Sequence, residues 1–354
     1  MSPLLEIDDL RVEFSTEDGV VHAVDGVSLA VAEGKTLGVV GESGSGKSVT
    51  GLTIMGLSRG RNATITGTAK FDGTDLVAMG DRDLRRIRGN EIAMIFQDPL
   101  SSLHPYFTIG RQLTEAYDTH HPSAGRGESR DRAAEMLDLV GIPDAKGRLD
   151  AYPHEFSGGM RQRTMIAMAL INGPRLLIAD EPTTALDVTI QAQILELIQR
   201  LQAELGMAVI MITHDLGVVA ELADDVAVMY AGRIVERGPK QQIFEAPEHP
   251  YTWGLLGSIP RMTAPRDEEL VPIPGRPPSL IHRPAGCHFH PRCPYVQPMH
   301  KETDPRLKPV GGDPAHTVAC LLGPEDRRRL WAQLRDGALP EQARASILEP
   351  EAGS

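Results

Sequence analysis

The alternation of apolar and polar residues near the start of the chain predicts short β-strands. Apolar and polar positions alternate in Leu4–Ile7, Leu10–Phe14 and Val27–Val31, and turns at Asp18-Gly19 and Glu33-Gly34 separate these segments. A strand with one buried face has this period of two. The segment therefore predicts a series of short strands.

Three continuous apolar runs predict a second kind of strand. They are Thr36–Val40, Leu176–Asp180 and Ala208–Thr213, and strands buried on both faces of a parallel sheet have this composition. Apolar residues recur at helical spacing from Ile190 to Leu205, which predicts a crossover helix between the last two strands. The fold class is therefore α/β, with a parallel sheet at its core.

The pattern changes twice more along the chain. Residues from about 98 to 172 are mainly helical in periodicity, and we interpret them as a helical subdomain inserted into the core. Repeated prolines from Pro247 to Pro278 interrupt any long element. We therefore predict a nucleotide-binding domain over 1–245 and a Pro-rich C-terminal extension over 246–354.

Composition and charge limit the possible functions. The 354 residues include 36 Lys and Arg against 48 Asp and Glu, a formal charge of −12. This balance argues against broad binding to nucleic acid or to an anionic membrane surface. The chain has no apolar run long enough to span a bilayer, and acids stand near its start where a signal peptide is basic. We therefore expect a cytoplasmic protein.

A glycine-rich loop follows the first buried strand. The segment Gly41-Glu-Ser-Gly-Ser-Gly-Lys47-Ser48 has the G-x-x-x-x-G-K-S pattern, between a strand and a helix as that pattern requires. Its glycines let backbone amides approach phosphate oxygens, Lys47 can reach the outer phosphates, and the Ser48 hydroxyl can bind Mg²⁺. The alternative is a simple glycine-rich turn. The predicted nucleotide contacts in this loop are Gly41, Ser43, Gly44, Ser45, Gly46, Lys47, Ser48 and Val49.

Two acids end the second buried strand. Asp180 and Glu181 would lie at the sheet edge where α/β folds bind ligands. Asp180 suits the coordination shell of Mg²⁺, and Glu181 suits the polarisation of an attacking water. Without the phosphate loop, both could be solvated acids that cap the next turn.

A third motif lies before these acids. Ser157-Gly158-Gly159 opens a predicted helix, and helix N-termini bind anions, although a plain N-cap has the same composition. With the phosphate loop and the acids, this segment resembles the signature of ATP-binding subunits of ABC transporters. The resemblance implies a parallel-sheet core with an antiparallel β subdomain and an inserted helical subdomain. Phe156 and Met160 depart from the usual Leu-Ser-Gly-Gly-Gln, as they do in the peptide-importer branch of that family.

The resemblance to this family implies roles for four more residues. Phe14 matches the aromatic residue that stacks on adenine, with a core phenylalanine as the alternative. Gln97 matches the glutamine that contacts Mg²⁺ or water. Asp187, in Ala185-Leu-Asp187, matches the D-loop, and His214 matches the switch histidine at the γ-phosphate. Glu181, His214 and Gln97 are then the catalytic residues, and Ser48, Gln97 and Asp180 the Mg²⁺ ligands.

The resemblance also implies partners. Two such subunits face each other, and each signature binds the ATP held by the partner's phosphate loop. Peptide-importer features are Ser101-Ser-Leu-His-Pro, His249–Trp253, Ile273–Ser279 and Cys287–Pro294. In that branch a paralogous ATPase, two membrane permease subunits and an extracytoplasmic peptide-binding protein complete the assembly, with the ATPases on the cytoplasmic face of the membrane.

The three cysteines of the chain all lie in the extension. Cys287, Cys293 and Cys320, with His300 where relatives have a fourth cysteine, could hold a [4Fe–4S] cluster. The same four ligands would suit zinc. Alternatively, the cysteines are small buried apolar residues without a metal.

Other functions remain possible at this stage. A soluble ABC ATPase of DNA repair or translation would usually carry two cassettes or a coiled-coil insertion, and neither is evident here. A nucleotide-sensing or metal-storage module would not need the acid Glu181. Nickel or glutathione importers use similar ATPases, so the cargo is left open between these and di- or oligopeptides.

Overall fold

The computed structural model describes residues 3–97, 103–184, 187–258 and 272–348, and within them it has two β-sheets. The strands are β1 (Leu5–Thr16), β2 (Gly19–Val31), β3 (Thr36–Val40), β4 (Ala63–Phe71), β5 (Thr74–Asp75), β6 (Ile92–Ile95), β7 (Leu176–Asp180), β8 (Ala208–Thr213), β9 (Asp225–Tyr230), β10 (Arg233–Pro239), β11 (Lys308–Val310) and β12 (Asp313–Val318).

Twelve α-helices lie in the same described ranges. They are α1 (Lys47–Ile54), α2 (Asp81–Ile87), α3 (Ile109–Asp118), α4 (Arg126–Leu139), α5 (Ala145–Arg148), α6 (Gly158–Leu170), α7 (Val188–Leu205), α8 (Leu216–Leu222), α9 (Lys240–Glu245), α10 (Pro250–Gly257), α11 (Pro324–Arg335) and α12 (Pro340–Leu348). Short 3₁₀ turns lie at Pro153–Glu155 and Pro298–Lys301.

The smaller sheet is antiparallel and has the strand order β2-β1-β4-β5. Leu5, Ile7, Leu10 and Val12 of β1 are buried, as the alternation of its residues predicts. The register shifts between Ile7 and Leu10, at Asp9. This bulge keeps the apolar side chains on the core face although two residues separate Ile7 from Leu10.

The larger sheet has eight strands in the order β11-β12-β10-β9-β3-β8-β7-β6. Neighbours from β9 to β6 pair in parallel, and every residue of β3, β6, β7 and β8 is buried. Helix α7 connects β7 to β8, as predicted from its apolar spacing. The carboxyl ends of these strands therefore meet at one sheet edge.

Helices α3 to α6 form the inserted helical subdomain. Leu113, Leu137, Ile166 and Leu170 are buried in its core. The same hydrophobic cluster includes residues of β6 and β7. The predicted α/β class, with a parallel core, an antiparallel β subdomain and inserted helices, is thus confirmed. The domain boundary at 245 stays a prediction.

The C-terminal residues are packed onto the core. Strands β11 and β12 extend the larger sheet beside β10. The fully buried Glu236 carboxylate accepts hydrogen bonds from the amides of Glu248 (2.6 Å) and His249 (3.0 Å) and from the Thr252 hydroxyl (2.5 Å). Its Oε1 also lies 2.9 Å from His316 Nε2. One buried acid of the core thus holds two separate segments of the extension.

Helix α10 begins beside this acid. Burial lowers the pKa of His249 to about 3, so its ring is neutral. The ring Nδ1 can then accept a hydrogen bond from the Tyr251 amide at 3.0 Å and cap the helix. Tyr251, in the first turn, is fully buried against Tyr230 of β9. The capped helix therefore lies close to the strand beside β3 and its phosphate loop.

Candidate functional site

The phosphate loop packs closely against two other backbone segments. Gly46 has a φ of +100°, and a Cβ there would lie 2.3 Å from the Ala23 carbonyl oxygen. A Cβ on Gly41 would lie 2.1 Å from the carbonyl oxygen of Met229. Gly44, by contrast, is exposed and faces open space. The glycines thus form a cradle that side chains would fill, open on the side where a phosphate can enter.

Lys47 is folded into this cradle. Its Nζ donates hydrogen bonds to the carbonyl oxygens of Gly41 (2.7 Å) and Glu42 (3.0 Å) and lies 3.4 Å from Ser45 Oγ. The residue is only 5% exposed, and burial lowers the pKa of its amine. A desolvated ammonium group held by neutral carbonyls is well suited to a charged phosphate.

A pair of glycine variants tests this geometry. Gly46→Ala is expected to lower the free energy of unfolding by about 2 kcal/mol more than Gly44→Ala, because only the former meets backbone. Both positions have positive φ, so Gly44→Ala controls for that strain. Urea unfolding of the full chain measures the difference. Equal losses would contradict the proposed role of the Ala23 contact.

Asp180 lies directly opposite the start of α1. The Ser48 hydroxyl donates to Asp180 Oδ1 at 3.0 Å, and Asp180 is 5% exposed. Burial raises the pKa of Asp180. A hydroxyl and a carboxylate are oxygen ligands of the kind that Mg²⁺ binds. The structure therefore brings together two of the three predicted Mg²⁺ ligands; the third, Gln97, contacts Glu181 instead.

Glu181 is the centre of a hydrogen-bonded cluster. Its carboxylate accepts from Gln97 Nε2 (2.9 Å) and Thr184 Oγ1 (2.9 Å) and lies 3.1 Å from His214 Nδ1. Burial alone would raise the pKa of Glu181, but the contacts with His214 and Thr184 outweigh it, and the pKa is lowered. The carboxylate is therefore ionised near neutral pH and available to attract a proton from water.

Strand pairing explains why these residues meet. Asp180 of β7 is in register with Ile212 of β8, so Glu181 and His214 leave neighbouring strands at the same edge. The Glu181 amide donates to the Ile212 carbonyl oxygen at 2.8 Å, and its φ of +47° turns the side chain away from the strand direction. The sequence analysis did not include Thr184 among the site residues. Its position only three residues after Glu181 could have indicated that the two side chains lie close together.

The signature segment forms an exposed helix N-terminus. Ser157 caps α6 by accepting a hydrogen bond from the Met160 amide at 3.3 Å. Ser157 and Gly158 are exposed, and Gly159 packs against Ile190 of α7, where a Cβ would approach within 3.2 Å. Amides at the start of this helix are therefore accessible to an anion from outside the chain.

Two other predicted contacts lie apart from the acidic cluster. Asp187 caps α7 through a 3.0 Å hydrogen bond from the Ile190 amide, while Ala185 and Leu186 lie outside the described residues. Phe14 is half-buried on β1, paired with Val21 and Ala63. Its stacking role, like the role of Val49, stays a prediction.

Part of the segment that follows Gln97 can also be described. Ser101 and Ser102 lie outside the described residues. The ring of His104 stacks on Phe107 with centroids 4.3 Å apart, and Tyr106 is 82% exposed. The Tyr106 side chain is therefore accessible from outside the chain.

The prediction of an iron–sulfur cluster, with zinc as its alternative, is wrong. Throughout the described part of the chain, no three His, Cys, Asp or Glu side chains are placed to hold a metal ion. Cys293 and Cys320 instead pack beside Trp253 and Tyr295. Burial raises the thiol pKa of all three cysteines, that of Cys320 to about 12.

The correction applies equally to His300. It was the predicted fourth ligand, but no group of His, Cys, Asp or Glu side chains placed to hold a metal ion includes it among the described residues. Its Nδ1 is 3.0 Å from the Gln297 amide and accepts a hydrogen bond within its own 3₁₀ turn. The motif had suggested four converging ligands because its spacing matches relatives. Convergence depends on the packing of the extension, which spacing does not specify.

Sequence analysis also missed a contact between the extension and the phosphate loop. Arg292 forms a bidentate ion pair with Glu42, with N–O distances of 2.6 and 3.0 Å. The two residues are 250 positions apart, and no local pattern links them.

Within the described residues, no helix combines the length and apolar character needed to cross a bilayer.

Comparison with known proteins agrees with this geometry. Residues 24–184 match the model of the ABC transporter family, and residues 235–299 match that of the oligopeptide/dipeptide transporter C-terminal region. The oligopeptide transport ATP-binding protein OppD of Haemophilus influenzae is 53% identical over 300 residues, 84% of this chain and 91% of that protein. OppD of Bacillus subtilis is 50% identical over 323 residues, 91% and 90% of the two chains.

A solved structure shares the core fold. The dimeric structure of the ATP-binding cassette MJ0796 in a post-hydrolysis state, bound to ADP and Pi, superimposes with a TM-score of 0.60 and 26% identity. It covers 67% of this chain and 98% of that one. With its phosphate loop, paired acids and signature helix, the chain belongs to the family of ATP-hydrolysing subunits of ABC transporters.

Proposed function

We propose that this subunit powers the import of di- and oligopeptides across the cytoplasmic membrane by binding and hydrolysing ATP. The observation that carries the proposal is the ionised Glu181, held by Gln97, Thr184 and His214 at the sheet edge beside Lys47. The peptide cargo is supported by the names of the curated relatives and by the C-terminal region over 235–299.

ATP binds in the cradle of Gly41 to Ser48. Backbone amides and the buried Lys47 ammonium receive its phosphates, and the adenine stacks on Phe14. Ser48 and Asp180, already 3.0 Å apart, are the ligands best placed for Mg²⁺, with Gln97 reaching in from the cluster around Glu181. Bound Mg²⁺ would neutralise charge on the phosphate oxygens.

The residues of the acidic cluster divide the work of hydrolysis. Glu181 accepts a proton from the attacking water, because its lowered pKa keeps it ionised. Gln97 and Thr184 hold the carboxylate in place through hydrogen bonds of 2.9 Å. His214 orients the same carboxylate and reaches the γ-phosphate. The water, the base and the phosphate are thus aligned by three neighbouring segments.

Each ATP site is shared between two subunits. The exposed Ser157 and Gly158 amides would bind the γ-phosphate held by the partner's loop, and Asp187, which caps α7, is the proposed D-loop contact. We propose a paralogous ATPase as partner. The dimeric cassette bound to ADP and Pi supports two-fold pairing in general. ATP contacts both subunits only when they close, so its hydrolysis would let them open.

The remaining partners are two permease subunits and an extracytoplasmic peptide-binding protein. The subunit then works at the cytoplasmic face of the membrane, and its helical subdomain contacts the permeases. Tyr106, exposed in the segment after Gln97, suits that contact. Soluble ATPases of DNA repair or translation would need no such surface, whereas nickel or glutathione importers use similar ATPases and would need it too.

Purification from detergent-solubilised membranes tests this assignment. The tagged full chain is expected to retain two integral membrane subunits and a second ATPase, and Tyr106→Asp is expected to weaken retention about tenfold. Leu339→Asp, at another exposed apolar residue, is the matched control. Labelled peptide, nickel or glutathione uptake by the complex identifies the cargo. A chain recovered without membrane subunits would contradict the proposal.

A further inference from the structure

Glu42, the second residue of the phosphate loop, is held at three points. Its carbonyl oxygen accepts a hydrogen bond from Lys47 Nζ at 3.0 Å, and its amide donates to the Tyr251 hydroxyl at 2.8 Å. Its carboxylate pairs with Arg292. Two of the three contacts come from residues beyond β10, so the loop that receives ATP is fixed largely by the C-terminal part of the chain.

Arg292 is itself rigidly placed. Its side chain is 4% exposed, and its Nε donates to the Pro274 carbonyl oxygen at 2.8 Å. The guanidinium also lies near the Tyr230 ring, with 5.8 Å from its central carbon to the ring centroid. Its two terminal nitrogens contact separate oxygens of Glu42, the fork arrangement in which arginine binds carboxylates most firmly.

The position of Glu42 gives this pair a role in nucleotide binding. An acid in a loop that receives a triphosphate adds a negative charge where negative charge must bind. Lys47 already offsets part of it, but Lys47 is needed for the phosphates. A second cation that is committed to Glu42 leaves Lys47 free for the ligand.

We propose that Arg292 is a positioning residue for ATP binding. It acts through Glu42, by neutralising that carboxylate so that Lys47 stays available to the triphosphate. The C-terminal extension is thereby part of the ATP site of this chain. The inference depends on ATP binding at the loop but not on the transported cargo.

Nucleotide titration of the full chain tests the proposal. Arg292→Gln is expected to weaken MgATP binding about tenfold and MgADP binding less, because the uncompensated Glu42 charge repels the more highly charged ligand more strongly. Glu42→Gln alone is expected to bind MgATP at least as tightly as the parental chain. The double variant Glu42→Gln/Arg292→Gln is expected to recover most of the lost affinity.

Arg327→Gln is the matched control for loss of a buried ion pair. Arg327 pairs with Glu248, both about as buried as Arg292, and both residues lie within the extension. It is expected to lower the melting temperature without changing the affinity of the folded chain for MgATP. If Arg292→Gln fails to fold, Arg292→Lys is measured instead. It keeps the positive charge but loses the bidentate contact, and its MgATP affinity is expected to fall about threefold.

Three results would overturn the inference. Parental MgATP affinity in Arg292→Gln would show that the pair is irrelevant to the nucleotide. Equal losses for MgATP and MgADP, or no recovery in the double variant, would show that the charge of Glu42 is not the cause. The same loss of MgATP affinity in Arg327→Gln would show that the effect comes from general damage to the extension.

Discussion

Glu181→Gln is expected to reduce ATP hydrolysis roughly a thousandfold while ATP binding stays within about a factor of two. Glutamine has the same shape and can still accept a hydrogen bond from Thr184, but it cannot take a proton from water. The lowered pKa of Glu181 shows that the ionised form is the one stabilised in the fold. A closed, ATP-filled pair of subunits should therefore accumulate.

Phosphate release by the complex, together with ATP retention after rapid filtration, measures this effect. Glu33→Gln serves as control, because Glu33 is an exposed acid that pairs only weakly with Arg175 at 3.4 Å. It is expected to hydrolyse ATP at the parental rate. If the Glu181→Gln variant hydrolysed ATP at the parental rate with the second ATPase present, Glu181 would not be the general base.

Ser157→Arg is expected to lower hydrolysis at the partner's phosphate loop about a hundredfold while ATP binding at this chain's own loop stays nearly intact. The substitution removes the cap of α6 and places a bulky side chain over its exposed amides. Because we propose that those exposed amides bind the ATP of the opposite subunit, the damage is expected at that subunit's site. The effect therefore separates a shared site from a self-contained one.

Photocrosslinking of an ATP analogue, resolved by subunit, measures the two sites independently. Thr108→Arg is the matched control: Thr108 caps α3 through a hydrogen bond from the Arg111 amide at 3.3 Å, in the same helical subdomain. It is expected to cost similar helix stability and to leave both labels unchanged. Equal loss of label on both chains in Ser157→Arg would contradict the shared site.

Local patterns in the sequence were sufficient to predict the core and to identify most of the residues that the structure places together at the sheet edge. The apolar runs of β3, β7 and β8 identified buried parallel strands, since such strands have no polar face. The phosphate loop and the paired acids follow directly from the ends of those strands. Parallel pairing then places Glu181 beside His214, because adjacent carboxyl ends share one edge.

The cysteine motif shows where local patterns were insufficient. Spacing alone suggested four ligands around a metal, but thiols bind metal only if packing directs them to one point, and the described residues contain no such group. Cys293 and Cys320 are instead surrounded by Trp253, Tyr295 and Leu322. Burial among these side chains, which stabilises the neutral thiol, is a property of the folded extension.

The sequence by itself determined the strands, the phosphate loop, the paired acids and the signature helix, because each depends on residues close together in the chain. Only the tertiary structure decided that β11 and β12 extend the core sheet and that Arg292 pairs with Glu42. Such contacts depend on how a long segment folds back onto the core. Their free energy comes from burial and charge pairing between distant residues, which no local period or motif encodes.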